Sequence, residues 1–173
     1  AGFPQEIRSA GFSAAIAHNP KIGESSPYLT AQHAVLEATA KVVASGSTPV
    51  ALTDCLCFGN PEKPEQMWQF SESCRGIKEA CSKLGFEHGA GLPIVAGNVS
   101  FYNQSGERAV PPSPIIGCFG KTNDVSLSIK NSLQDKESTL LLLGEAGNKL
   151  GGSMVVDLFG VENNDVHNFS VTK

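Results

Sequence analysis

A chain of 173 residues is long enough for one domain and the opening of a second, and 40% apolar with 17% charged residues excludes a disordered polymer. The formal net charge of −4, with no basic run, argues against a nucleic-acid partner. No apolar stretch approaches the ~20 residues that a membrane-spanning helix needs.

Phe12 to Ala17 is short and apolar and predicts a strand. "HNPKIGESSP" then supplies turn residues, and Ser25-Ser26-Pro27 marks a helix start with proline in the first turn. Ala31, Ala34, Val35, Ala38 and Val42 recur at helical spacing, which predicts an amphipathic helix from Tyr28 to Ala44 that stops at Gly46. Thr48 to Leu56 predicts a strand. Pro64 opens a second helix carrying Trp68, Ile77, Ala80, Cys81 and Leu84, which ends at Gly85. Leu92 to Ala96 is a further strand, resumed by Ser100 to Asn103 before the turn "NQSGER". Pro114 to Gly120 is another, its prolines suited to a strand start, with Asp124 to Ile129 as a continuation. After the polar linker "NSLQDKES", Thr139 to Leu143 is apolar throughout, as in a buried strand. "GEAGNKLGGSMVVDLFG" then reads as strand, glycine-rich loop and helix, the opening of a new domain. Strands alternating with helices make this an α/β chain.

Two strands end in polar, glycine-bearing loops, "TDCLCFGNPEKPE" and "AGNVSFYN", which suggests one site built from both. Asp54 at a strand end can hold Mg²⁺ or a nucleotide group, or simply close a turn. Gly97 lets a ligand approach the backbone. Asn98 offers a hard amide oxygen to Mg²⁺, and Ser100 a hydroxyl to a phosphate or sugar, although "GN" is also common in plain turns. Cys55 and Cys57 lie two apart on a strand and face one side. No second Cys or His pair follows at zinc spacing, so they read as structural thiols. Cys74 and Cys81 read as core filling on a helix.

The five cysteines fit no disulfide framework and place the protein in a reducing, cytoplasmic compartment. His18, His33, His88 and His167 are scattered and support no Cys–His nucleophile. "GGS" at Gly151 to Ser153 reads as a helix cap, and Glu37 with Lys41 as an i, i+4 ion pair. The opening "AGFPQEIRSAG" reads as a cut edge, so the chain is expected to be an excised fragment.

The strings "ALTDCLCFGNPEKPEQMWQFSESCRGIKEACSKLG", "LPIVAGNVSFYNQSG" and "PPSPIIGCFG" resemble, in order and spacing, the second half of the phosphoribosylformylglycinamidine synthase family of the small-subunit (PurL) type. The stretch "SPYLTAQHAVLEATAKVVASGSTPVALTD" is similar to it as well. The resemblance implies an aminoimidazole ribonucleotide synthetase (PurM) N-terminal-like domain over residues 1–134, a mixed sheet with helices on one side. A truncated beginning of the PurM C-terminal-like domain would occupy 135–173. It implies an ATP- and Mg²⁺-dependent ligase that converts formylglycinamide ribonucleotide to the amidine in purine biosynthesis. Its partners would be a glutaminase subunit, a small accessory subunit and a second N-terminal-like domain paired with this one.

Carried over by position, Asp54 and Gly97 would touch ATP, Asn98 would ligate Mg²⁺, and Ser100 would contact the ribonucleotide. The family's catalytic histidine lies in the other half, so no catalytic residue is assigned and the isolated chain is expected to be inactive. Cys55 and Cys57 stand where the family has asparagines. Lys41 replaces a helix Asn, and "AIAHN" lacks an aspartate, which weakens the auxiliary nucleotide site of this half. The competing readings are another ATP-using enzyme of the superfamily and a non-catalytic scaffold half that has lost its auxiliary nucleotide.

Overall fold

The computed structural model describes residues 9–85, 89–133, 137–142, 147–161 and 165–166. Its centre is a four-stranded mixed sheet ordered β1 (Gly11–Ala17), β6 (Ser113–Thr122), β2 (Thr48–Cys57), β3 (Ile94–Ser100). β6 runs antiparallel to both β1 and β2, and β2 runs parallel to β3. A parallel neighbour needs a crossover, and α3 (Pro64–Lys83) supplies it. The other long helix, α2 (Pro27–Ala44), crosses β6 and β1, and α3 packs on α2. Both long helices therefore cover the same face of the sheet, as the sequence leads one to expect.

The core lies between α2 and the sheet. Ala31, Ala34, Val35, Ala38 and Val42 are fully buried on one stripe of α2, facing Leu52, Leu56, Ile116 and Cys118 of the central strands. Three alanines on that stripe let the helix approach closely, and the branched side chains fill the rest. On the opposite face, alternate strand residues remain uncovered: Phe12 is 82% exposed and Ile16 66%.

Three elements differ from the sequence expectation. "HNPKIGESSP" is not merely a turn but holds α1 (Pro20–Ser25), because Asn19 Oδ1 accepts from the N–H groups of Lys21 and Ile22 and Ile22 is buried. The stretch expected as two strand pieces around Gly97 is one strand, β3. Past it the chain turns out into the small hairpin β4 (Gln104–Ser105) and β5 (Arg108–Ala109). Asp124 does not prolong β6, since its carboxylate accepts from Ser126 N–H and winds Val125–Leu127 into a 3-10 turn.

A fourth expectation fails outright. Thr139–Leu142 is not a strand: Leu140, Leu141 and Leu142 are 80–82% exposed, with no strand of the described residues beside them to bond. An apolar run becomes a buried strand only where a sheet receives it. Leu143, the boundary at 134, His88 and His167 lie outside the described residues. "GGS" does precede a helix, α4 (Met154–Phe159), and this segment returns to α1, where Asn19 Nδ2 donates to the Gly152 carbonyl and Lys21 pairs with Asp157.

α3 is fastened to the start of α2. Tyr28 Oη donates to Glu79 at 2.5 Å, the Arg75 guanidinium lies 4.0 Å above the Tyr28 ring, and buried Ser73 donates to the Pro27 carbonyl. Gly76 sits at the closest approach, where an added Cβ would collide with the Tyr28 carbonyl and press Ala31 Cβ. Gly76→Ala should therefore cost about 1–3 kcal/mol, the usual range for overpacking. The expected reading is a lower denaturant midpoint at unchanged slope; an unchanged midpoint would show that the two helices do not meet there.

Candidate functional site

The site residues lie at the ends of β2 and β3, where the register pairs Asp54 with Gly97, Cys55 with Asn98, and Cys57 with Ser100. Paired residues of neighbouring strands share a face, and successive residues alternate. Asp54 thus falls on the helix-covered face with Leu52 and Leu56, whereas Asn98 and Ser100 fall on the uncovered face with the two thiols. The four residues are adjacent along the backbone, but their side chains do not converge on one point.

Gly97 has a structural cause of its own. A Cβ there would overlap the Asp54 carboxylate, so the glycine clears space for the aspartate as well as for any ligand.

Asp54 lines a cavity of about 410 Å³ between α3 and the β2–β3 edge, with Leu56, Cys74, Ile77, Lys78 and Cys81. Burial raises its carboxyl above the ordinary aspartate value. The same cavity raises the thiols facing it. Cys81 is pushed up to about 11, and Cys74 is raised too, by burial first and the Asp54 charge second. Cys81 belongs to the core and Cys74 packs against it, in keeping with the sequence reading. On the other face a cavity of about 330 Å³ is lined by Ile16, Thr53, Cys55, Asn98, Ile115 and Phe119.

The two loops are zipped together by a residue that the sequence reading did not single out. Asn103 Nδ2 donates to the carbonyls of Phe58 and Ser100 at 3.1 and 2.8 Å, and lies 3.1 Å from Ser100 Oγ. Main-chain bonds join them further, from Phe58 N–H to the Ser100 carbonyl and from Tyr102 N–H to the Gly59 carbonyl. Tyr102 takes a left-handed φ of 59° to make this turn. Phe70 of α3 stacks edge-on against Phe58 and Phe101 at 5.4 and 5.2 Å, tying both loops to the helix. The signal was present in "SFYN", as an Asn three residues after a strand-end Ser. Only the fold reveals that its donors reach across to the other loop.

Residues 11–122 match the family model described as AIR synthase related protein, N-terminal domain. The chain belongs to this family.

Within it, the chain is of the PurL type. It is 47% identical over 152 residues to the phosphoribosylformylglycinamidine synthase subunit PurL of Methanothrix thermoacetophila, a match covering 87% of this chain and 20% of that protein. The PurL subunit of Thermobifida fusca is 42% identical over 154 residues, covering 88% of this chain and 19% of its own length. Among solved structures, Thermotoga maritima PurL complexed with ATP superposes with a TM-score of 0.64 at 26% identity, over 72% of this chain and 20% of that one. The same protein complexed with FGAR gives 0.63 at 27% identity, over 71% and 19%. The chain spans about a fifth of the length of the curated relatives it matches. The AIR synthase fold of these structures is the mixed sheet under helices found here.

Asp54 gives a signed prediction. A carboxyl raised on folding favours the native state below its unfolded value and loses that contribution as pH rises through the folded value. At neutral pH its charge therefore opposes folding. Asp54→Asn should stabilise the chain at pH ~7, and the gain should vanish toward pH ~4, where the carboxyl of the parent protein takes up its proton. Denaturant midpoints of both proteins across that range provide the check; a gain that persists or grows in acid would contradict the burial of Asp54.

Proposed function

We infer that this chain is the nucleotide- and substrate-binding N-terminal-like domain from the second half of a PurL ligase, the enzyme that makes formylglycinamidine ribonucleotide. The observation that carries this is the placement of Asp54, Gly97, Asn98 and Ser100 within four rungs of one parallel strand pair, inside a PurL-type domain. Support comes from the relatives: Thermotoga maritima PurL has been crystallised with ATP, with ADP and with FGAR, and as a PurLQS assembly.

In this reading Asp54 and Gly97 flank the nucleotide from the helix-covered side, while Asn98 and Ser100 face the uncovered side. Asn98 offers one neutral oxygen, which suits Mg²⁺ only if phosphate oxygens, water or another domain complete its six ligands. Bound there, Mg-ATP would supply the activation of the substrate amide. The chain's own residues bind and orient.

The uncovered apolar face, with Phe12, Ile16 and Phe119 exposed, is where a second N-terminal-like domain would pair its sheet. The glutaminase and small accessory subunits would complete the complex. Residues beyond about 134 would begin the C-terminal-like domain, whose remainder would cover Leu140 to Leu142. No helix of the described residues is long and apolar enough to cross a membrane, and the five free thiols suit a cytoplasmic enzyme.

Kinetics of the intact ligase test the reading. Asn98→Ala should weaken Mg-ATP use. Ser100→Ala should mainly raise the KM for the ribonucleotide, by the fold-change that about 1–3 kcal/mol represents. Wild-type constants in both variants would overturn the assignment.

A second reading, that this half has lost its auxiliary nucleotide, rests on Lys41. Its ammonium lies 2.7 Å from Glu37 Oε1 and donates to the Ile16 carbonyl at 3.1 Å. A cation built into the chain thus occupies the space beside Glu37, and it offers no oxygen to a metal. Lys41→Asn should therefore raise Mg²⁺-dependent nucleotide binding by the intact protein in calorimetry. Isolation of the parent protein with Mg-nucleotide held by Glu37 would refute the idea.

A further inference from the structure

Cys55 and Cys57 read from the sequence as structural thiols, yet the fold leaves them out of the core. They project from the uncovered face of β2, on the rungs of Asn98 and Ser100, and their Sγ atoms lean to within 3.7 Å of one another. We propose that this pair forms a two-thiolate chelate for a soft d¹⁰ cation of the zinc or cadmium class. The inference goes beyond the nucleotide-binding reading and does not depend on it.

A tetrahedral ion with metal–sulfur bonds of about 2.3 Å places two of its sulfurs roughly 3.8 Å apart. The observed separation therefore already matches the bite that such an ion requires. β2 holds the pair in place, because it is hydrogen-bonded on both edges. Ile115 and Asn98 flank Cys55, and Ser113 and Ser100 flank Cys57. Little conformational freedom remains to be lost on binding.

A disulfide suits the pair less well. Residues two apart on a strand have Cα atoms about 6.7 Å from each other, close to the ~6.8 Å limit for a bridge. The other three cysteines cannot complete the shell, since Cys118 is buried on the helix-covered face and Cys74 and Cys81 line the Asp54 cavity. Among the described residues no third His, Cys, Asp or Glu joins the pair, so the remaining two coordination positions fall to water or an added ligand and the site is exchangeable rather than a closed structural one. On binding, two S–H bonds break, two metal–sulfur bonds form and both protons pass to solvent; no electrons are transferred.

The test is a Cd²⁺ titration of the full chain, followed by the ultraviolet sulfur-to-cadmium charge-transfer band. One ion per chain should bind at micromolar concentration or below, with about two protons released into weak buffer. Cys55→Ser and Cys57→Ser should each weaken binding at least tenfold, while Cys74→Ser should leave it unchanged. A measurement on the unaltered protein guards against misfolded variants. Phenylarsine oxide condenses with two neighbouring thiols and loses one water, so three of the five cysteines should remain open to alkylation after unfolding. Absence of the band at millimolar Cd²⁺, parent-like affinity in either Cys55→Ser or Cys57→Ser, or five alkylatable cysteines after the arsenical would each overturn the proposal.

Discussion

The alternation of β2 is the constraint on which the rest of the molecule depends. This strand is bonded to β6 on one edge and β3 on the other, so its register is fixed twice. Leu52 and Leu56 must point under the helices, where each is worth roughly 1.5–3 kcal/mol of burial. A slip of one residue would exchange them for Thr53, Cys55 and Cys57. Hydrophobic burial at two positions thus decides which way every polar residue of the strand faces.

That decision splits the site between two environments. Asp54 is taken with the leucines into a cavity that disfavours its charge, while Asn98 and Ser100 open onto a face that none of the described helices covers. An aspartate kept where its ionised form is costly, beside a glycine whose missing Cβ makes room for its carboxylate, is the kind of local inconsistency expected at a functional position. The uncovered face is a comparable case: exposed phenylalanine and isoleucine on a sheet are poorly served by water and well served by a second sheet.

The loops that follow the two strands are held as one body. Asn103 satisfies a carbonyl of each loop with one amide, and the edge-on contacts of Phe70 carry that unit onto α3. Each of those carbonyls also accepts a main-chain N–H, Ser100 from Phe58 and Phe58 from Asn103, so the amide reinforces a junction that the backbone already makes. Rigid loops on a fixed strand pair keep Asp54, Gly97, Asn98 and Ser100 in constant relation even though they face different ways.

The sequence alone determined much of this. Helical spacing of Ala31, Ala34, Val35, Ala38 and Val42 marked the stripe that α2 buries, and proline and glycine punctuation bracketed the two long helices to within a residue or two. Motif order assigned the family, and the four candidate site positions were read from the same motifs. The sequence could not say that "HNPKIGESSP" folds into a helix, because that rests on one Asn side chain reaching two N–H groups and on a burial site for Ile22. It could not distinguish Thr139 to Leu142 from a buried strand, because burial is a property of the neighbour that receives the strand. Nor could it show that Asp54 and Asn98 face apart, or that Lys41, besides pairing with Glu37, reaches the Ile16 carbonyl. Those facts depend on register and on distances between residues remote in the chain, and only tertiary packing sets them.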